Sequence, residues 1–240
     1  MERKKVLITG AAGIVGGILR SHWGEHYTLR LADIRPVEDL GEHETFMYTD
    51  ITDYGQLFTA AQDMDTVVHL AAYPGDGAKF YDTLLDLNIL GTYNAFEASN
   101  KAGCSRIVFT SSIDAVDGYA DKSDVDWDWP VYPTNIYGAT KCWGEALARV
   151  YSYRNSFSCI CLRLTNPGFN QKGGWDPNAS MSGSSKRDCA QVFQRCVDVE
   201  GIDFAIVNGI SDHHRPRLAL DYTRKLLEYS PDDGTKFPKD

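Results

Sequence analysis

The sequence predicts an α/β protein built on a doubly wound parallel sheet. Three observations carry that reading. Short runs rich in Val, Ile, Leu, Phe and Thr alternate with helical patterns as far as residue 164, a glycine-rich turn follows the first run, and no repeat or low-complexity tract interrupts the order. The 240 residues allow one large domain, or one domain with a small annex, and can bury a core without metals or staples. Hydrophobic residues at 43% and charged residues at 24% exclude a disordered, collagenous or coiled-coil chain.

Taken in order, the first strand spans 5–9 and is too short an apolar stretch for a signal peptide; no run reaches the ~18 residues of a membrane span, so a cytoplasmic protein is expected. Gly10-Ala11-Ala12-Gly13-Ile14-Val15-Gly16 follows directly and opens a helix over 13–24. The first glycine permits a tight turn, the second lets backbone approach a pyrophosphate and the third lets helix pack on strand, while the helix N-terminus supplies partial positive charge. Gly10, Gly13, Ile14, Val15 and Gly16 are therefore candidate cofactor contacts, and the sheet is expected to be of the Rossmann type. The second strand, 28–32, runs into Asp33, placed to accept from adenosine ribose hydroxyls and to repel a 2′-phosphate. NAD is favoured over NADP, although Arg35 carries the opposite preference two residues on.

A third strand at 45–48 leads to Asp50 and Ile51, candidates for adenine contact; an ordinary loop aspartate explains Asp50 equally well. A helix over 53–63 and a strand over 66–70 come next. A helix over 82–102 is bounded by Asp82 and Gly103 as caps. The strand 106–110 ends in Ser111-Ser112, at the carboxyl edge where open α/β sheets bind ligands; a serine-rich strand cap is the plain alternative. A helix over 136–154 presents Tyr137 and Lys141 at i and i+4 on one face. A free phenol titrates near ~10, and a neighbouring cation lowers that value, as bound oxidised nicotinamide would further, so Tyr137 is a candidate base. This spacing also arises often by chance. The strand 158–164 completes the regular pattern.

After Leu164 come a long irregular loop at 165–187, a helix near 187–199, a strand at 204–207 and a helix near 218–229. Residues 1–164 are expected to hold the cofactor, and 165–240 to form a small substrate-binding annex that does not fold alone. The balance of 24 basic against 33 acidic residues, −9 in all, excludes a protein whose main work is gripping nucleic acid. Six cysteines form no C-x-x-C pair, so no metal site is expected, and Cys159 and Cys161 read as buried thiols on one strand face. Lys172, Lys186 and Arg187 are candidate anion anchors but more often such residues are solvated surface charges. Asp114, Asp117, Asp121, Asp124, Asp126 and Asp128 face only Lys122; as a lid they would repel a dianion unless turned outward. Trp127 and Trp129 either stack on a sugar or pin that segment, and His213-His214-Arg215 reads as an exposed turn.

Together, Gly10-x-x-Gly13-x-x-Gly16, Asp33, His69-Leu70-Ala71-Ala72, Asn88, Ser111-Ser112 and Tyr137-x-x-x-Lys141 resemble the extended short-chain dehydrogenase/reductases, also called the NAD-dependent epimerase/dehydratase family. The resemblance covers nearly the whole chain. It implies that Ser112, 25 positions before Tyr137, is the catalytic serine, that Ser111, Leu70, Ala71 and Ala72 border the cofactor, that Lys141 also holds the nicotinamide ribose, and that Asn88 supports the site. It also implies a homodimer paired through the helices near 82–102 and 136–154. The carboxyl-terminal part is similar to the short branch of uronate dehydrogenases and archaeal NAD-dependent glucose-6-phosphate dehydrogenases, which oxidise an anomeric hydroxyl to a lactone. Those enzymes tend to carry Ser-Asn-His after the strand, where this chain has Ser112-Ile113-Asp114, and it has no arginine near Asn178. Ser112, Ile113, Asp114 and Asn166 are the substrate-binding candidates. The reading is an NAD-dependent dehydrogenase of a small sugar, sugar acid or sugar phosphate. The rivals are a nucleotide-sugar epimerase with the same Ser, Tyr and Lys, and a dinucleotide-binding protein without turnover. A small annex favours a small sugar over a nucleotide-linked one.

Overall fold

The computed structural model describes residues 3–119, 122, 124–155, 157–167 and 182–234. Seven strands, β1 (Lys5–Thr9), β2 (Thr28–Asp33), β3 (Glu44–Tyr48), β4 (Thr66–His69), β5 (Arg106–Ser112), β6 (Ser158–Leu164) and β7 (Phe204–Gly209), form one sheet in the order β3-β2-β1-β4-β5-β6-β7. Every neighbouring pair is parallel. The order reverses between β1 and β4, which leaves a crevice at the carboxyl ends of those strands.

Strand periodicity sorts the core onto two faces. Ile8, Leu31, Val108 and Leu162 point to the face covered by α1 (Ile14–Trp23) and α5 (Lys186–Asp198). Leu7, Val67, Ile107, Phe109 and Cys161 point to the face covered by α2 (Tyr54–Ala61), α3 (Gly91–Lys101) and α4 (Ile136–Asn155). Burial on both faces explains why these strands read in sequence as continuous apolar runs.

Three departures from the expected elements have local causes. The helix expected at 82–102 begins earlier, as a π-helical stretch Phe80–Leu90 with Lys79 as its N-cap, and runs into α3. Asp82 is therefore a first-turn residue rather than the cap. Gly91 at the junction packs against Ile51, where a Cβ would come within 2.5 Å of the Ile51 side chain. The expected stop at Gly103 is a Schellman turn: Gly103 has φ +84°, its N–H donates to Asn100 and the Cys104 N–H donates to Ser99. Second, β5 continues to Ser112 because β6 pairs with it through Ser112 and Leu164. Third, the sheet crosses the division at residue 164. β7 pairs with β6, and α5 packs on α1, with the Trp23 indole donating to the Ala190 carbonyl at 3.1 Å. Much of 182–234 thus completes the sheet and its cover. A short α6 (Asp221–Leu227) follows. Among the described residues no helix is long and apolar enough to cross a membrane.

Candidate active site

A cleft of about 830 Å³ opens at the carboxyl edge of the sheet. Its lining includes Gly10, Gly13, Ile14, Val15, Asp33, Asp50, Ile51, Leu70, Ala71, Ala72, Ser111, Ser112, Ile113, Asp114, Tyr137, Lys141 and Asn166. Residues scattered from Gly10 to Asn166 in sequence are brought together by the ends of β1, β2, β4, β5 and β6. A second hollow, around Arg149 and Phe204, lies at the opposite edge of the sheet, and its guanidinium stacks on the Phe204 ring at 3.6 Å.

The glycine turn has the shape a pyrophosphate needs. Gly10 has φ +72°, and a Cβ there would sit 2.7 Å from the Ala71 nitrogen. A Cβ at Gly16 would collide with the Ala11 carbonyl, so α1 packs directly on the turn. Gly13, the N-cap of α1, brings no side-chain acceptor to the first-turn N–H groups, which leaves them for an anion. At the end of β2 the Asp33 carboxylate accepts from the Ala12 N–H (3.0 Å) and the Arg35 N–H (2.9 Å). Arg35 lies beside it, its Nε 3.7 Å from Asp33 and its guanidinium donating to the Ala12 carbonyl. Asp33 keeps acceptor capacity for a diol, because each carboxylate oxygen carries two lone pairs. Asp50 is turned into its own loop, where Oδ1 accepts from the Thr52 N–H and hydroxyl.

The serine pair divides by strand alternation. Ser111 shares a face with Phe109, and its hydroxyl donates to Glu145 of α4 at 2.7 Å. Ser112 faces the cleft; its hydroxyl donates to Asp114 Oδ2 at 2.8 Å, and its oxygen accepts the Asp114 N–H. The Tyr137 phenol lines the same wall. Burial pushes it up to about 12, with the Ser112 hydroxyl opposing and the Asp114 charge adding to the rise. Lys141 is pushed down to about 8 by burial, with Asp114 opposing. Its ammonium donates to the Thr110 carbonyl at 2.9 Å and lies 5.4 Å from the Tyr137 ring centroid. Desolvation thus dominates the phenol in this geometry, and the lowering expected from Lys141 does not figure among its causes.

Asn88 does not line the cleft. Its amide exchanges hydrogen bonds with the Tyr73 backbone (2.8 and 3.1 Å) and donates to Thr140, so it ties the segment after β4 to the helix that carries Tyr137. Sequence reasoning assigned no role to two groups. His69, fully buried at the end of β4, is hydrogen-bonded to Thr9 and pushed down to about 3 by burial and then by Lys141. Arg163 pairs with Glu145 at 2.8 Å, both buried, and also donates to the Trp127 carbonyl. A lone arginine inside the apolar run Cys159-Ile160-Cys161-Leu162-Arg163-Leu164 was the available signal.

Of the acidic segment, only Asp114 lines the cleft among the described residues. Residues 124–125 are stitched to 216–219 by backbone bonds, Asp117 pairs with Arg217, and Trp127 stacks on Tyr222 with ring centroids 4.4 Å apart. Trp127 therefore pins this segment in place. His213 is fully buried, against the exposed turn expected, with Nε2 hydrogen-bonded to the Gly183 carbonyl. Arg187 is paired with Asp232 and Asp233. Lys172, Asn178 and Asp121 lie outside the described residues.

The sequence profile of the NAD dependent epimerase/dehydratase family matches residues 6–170. The NAD-dependent glucose-6-phosphate dehydrogenase of Haloferax volcanii is 31% identical over 248 residues, covering 96% of this chain and 94% of that protein. The uronate dehydrogenase of Pseudomonas putida is 31% identical over 213 residues, covering 87% and 77%. The crystal structure of a tyrosine-to-alanine mutant of uronate dehydrogenase from Agrobacterium tumefaciens, complexed with NAD, superposes with a TM-score of 0.84 at 25% identity, covering 99% of this chain and 92% of that one.

Proposed function

The chain belongs to the NAD dependent epimerase/dehydratase family, and from that premise we propose that it is an NAD-dependent dehydrogenase that oxidises the anomeric hydroxyl of a small sugar, sugar acid or sugar phosphate. The observation that carries this reading is the convergence of Ser112, Tyr137 and Lys141 on one cleft with the glycine turn and Asp33. A protein that only bound a dinucleotide would need no base there.

Gly10, Gly13 and the first turn of α1 hold the pyrophosphate, and Asp33 takes the adenosine ribose. NAD, when bound in its oxidised form, supplies the hydride acceptor and a positive charge that favours a phenolate. Tyr137 takes the hydroxyl proton of the sugar as the carbon bearing that hydroxyl gives up hydride, which leaves a lactone. Ser112, on the same wall as the phenol, orients the sugar hydroxyl, and Lys141 holds its charge against the Tyr137 ring. Asn88 and Thr140 position that helix turn.

The protein acts as a homodimer in the cytoplasm. The dimer is supported by apolar side chains left exposed on adjoining helices, Tyr81, Leu90, Tyr93, Val150 and Tyr153, and light scattering at twice the chain mass checks it. The compartment is supported by six free cysteines.

The test is Tyr137→Phe, which removes one oxygen from a buried ring. NADH formation is expected to fall by a factor of about 10² to 10⁴ while dinucleotide affinity stays within a few-fold. Undiminished turnover in this variant rejects Tyr137 as the base.

A further inference from the structure

At the end of the cleft away from the glycine turn, the wall is formed by Ser112, Ile113, Asp114, Tyr137, Thr165 and Asn166. Among the described residues Asp114 brings the one carboxylate to this end. Of the two cations of the lining, Arg35 stands beside Asp33 at the end of β2, while Lys141 lies behind the Tyr137 ring, held to the Thr110 carbonyl and within electrostatic reach of Asp114. Asp114 is fixed by three bonds. Oδ2 accepts from the Ser112 hydroxyl at 2.8 Å, Oδ1 accepts from the Asn135 amide at 3.2 Å, and its own N–H donates back to Ser112 at 3.1 Å.

A carboxylate in such a place offers acceptors and nothing else. Each oxygen has one lone pair committed and one open, so what it can take up is a hydroxyl or another donor. By itself, the Asp114 charge would disfavour a second anion about 5 Å away by roughly 300-fold at an effective dielectric of about 20, a repulsion that the Lys141 charge reduces. The neighbours offered to a ligand, the Ser112 and Thr165 hydroxyls and the exposed Asn166 amide, are neutral. The outward acidic residues 117, 124, 126 and 128 do not reach this wall.

Resting on the dehydrogenase reading above, we propose that the substrate is an uncharged aldose and that Asp114 is the specificity-determining residue, accepting a hydroxyl of the sugar ring and turning away the carboxylate of a uronate or the phosphate of a hexose phosphate.

The experiment uses the full chain with NAD and matched sugars: galactose against galacturonate, and glucose against glucuronate and glucose 6-phosphate. The expected result is a kcat/KM at least tenfold higher for each neutral sugar than for its anionic counterpart. In Asp114→Asn that ratio is expected to shrink by tenfold or more through a gain for the anion, with unchanged dinucleotide affinity showing that the fold is intact. A second arm needs no substitution: in the native chain, added salt screens the repulsion and raises kcat/KM for the anionic sugars alone. Preference for an anionic sugar, or a ratio that neither Asp114→Asn nor salt moves, overturns the proposal and leaves the dehydrogenase reading standing. Oxidation of no sugar at all by a protein that binds NAD overturns both.

Discussion

Desolvation pushes two buried groups of this site in opposite directions, because it always favours the neutral form: Tyr137 rises and His69 falls. The consequence for Tyr137 is an alkaline-facing rate limb. Asp114 is one of the groups that raise the phenol, so Asp114→Asn is expected to move the rising limb of kcat against pH toward lower pH, as read from initial rates across a buffer series. His69 bears on stability. Its folded value near 3 lies below the unfolded value near 6.5, so the unfolded chain binds more protons between them. The contribution is intact above about pH 6.5 and lost progressively as the pH falls toward 3, amounting to several kcal/mol. Urea unfolding at a series of pH values is expected to show a slope shallower by about one proton in His69→Gln. The serine pair shows what residue-level sequence can carry. Two adjacent serines at a strand end locate a site, and the family spacing to Tyr137 selects Ser112; the physical reason is strand parity and Glu145, 34 positions away, which takes the Ser111 hydroxyl on the other face.

At the scale of elements, α4 and β6 are locked by the Glu145–Arg163 pair, and Ser111 of β5 joins the same carboxylate. Removing one partner strands a charge in a dry interior. Arg163→Met is expected to cost about 3–5 kcal/mol in urea unfolding, whereas Arg163→Met with Glu145→Leu costs much less, because a buried pair contributes little net against an apolar replacement. Strand positions were legible to within about two residues, since parallel strands covered on both faces leave apolar runs in the sequence. The start of the long helix was less so. Asp82 looks like a cap, yet Lys79 occupies that place without a side-chain capping bond, and Asp82 falls in the first turn of the π-helical stretch Phe80–Leu90. For the acidic segment the sequence left a lid and outward-turned carboxylates both open; its partner strand-like stretch at 216–219 lies about ninety positions on, a pairing no local pattern announces.

The whole molecule is one sheet whose last strand and one covering helix come from beyond residue 164. Ile160 and Leu162 are fully buried on the face that α5 helps cover. A fragment ending at residue 164 is therefore expected to lack native packing, with loss of near-ultraviolet circular dichroism; a cooperative unfolding transition in that fragment would show that the sheet stands without β7 and α5. The cofactor half was readable because a phosphate turn is local: its glycines, its helix and its acid lie within about twenty-five residues. The sugar end is assembled from the ends of β5 and β6 and one turn of α4; Ser112, Ile113, Asp114, Tyr137 and Asn166 of its wall were named through the resemblance, while Thr165, buried beside Asn166, carried no local signal. Oxidation at the anomeric carbon by NAD is checked by measuring NADH together with sugar lactone and the sugar acid into which it hydrolyses, during turnover of an aldose. NADH is expected to equal the sum of lactone and sugar acid. NADH with neither product, or an epimerised sugar with no net NADH, would contradict it.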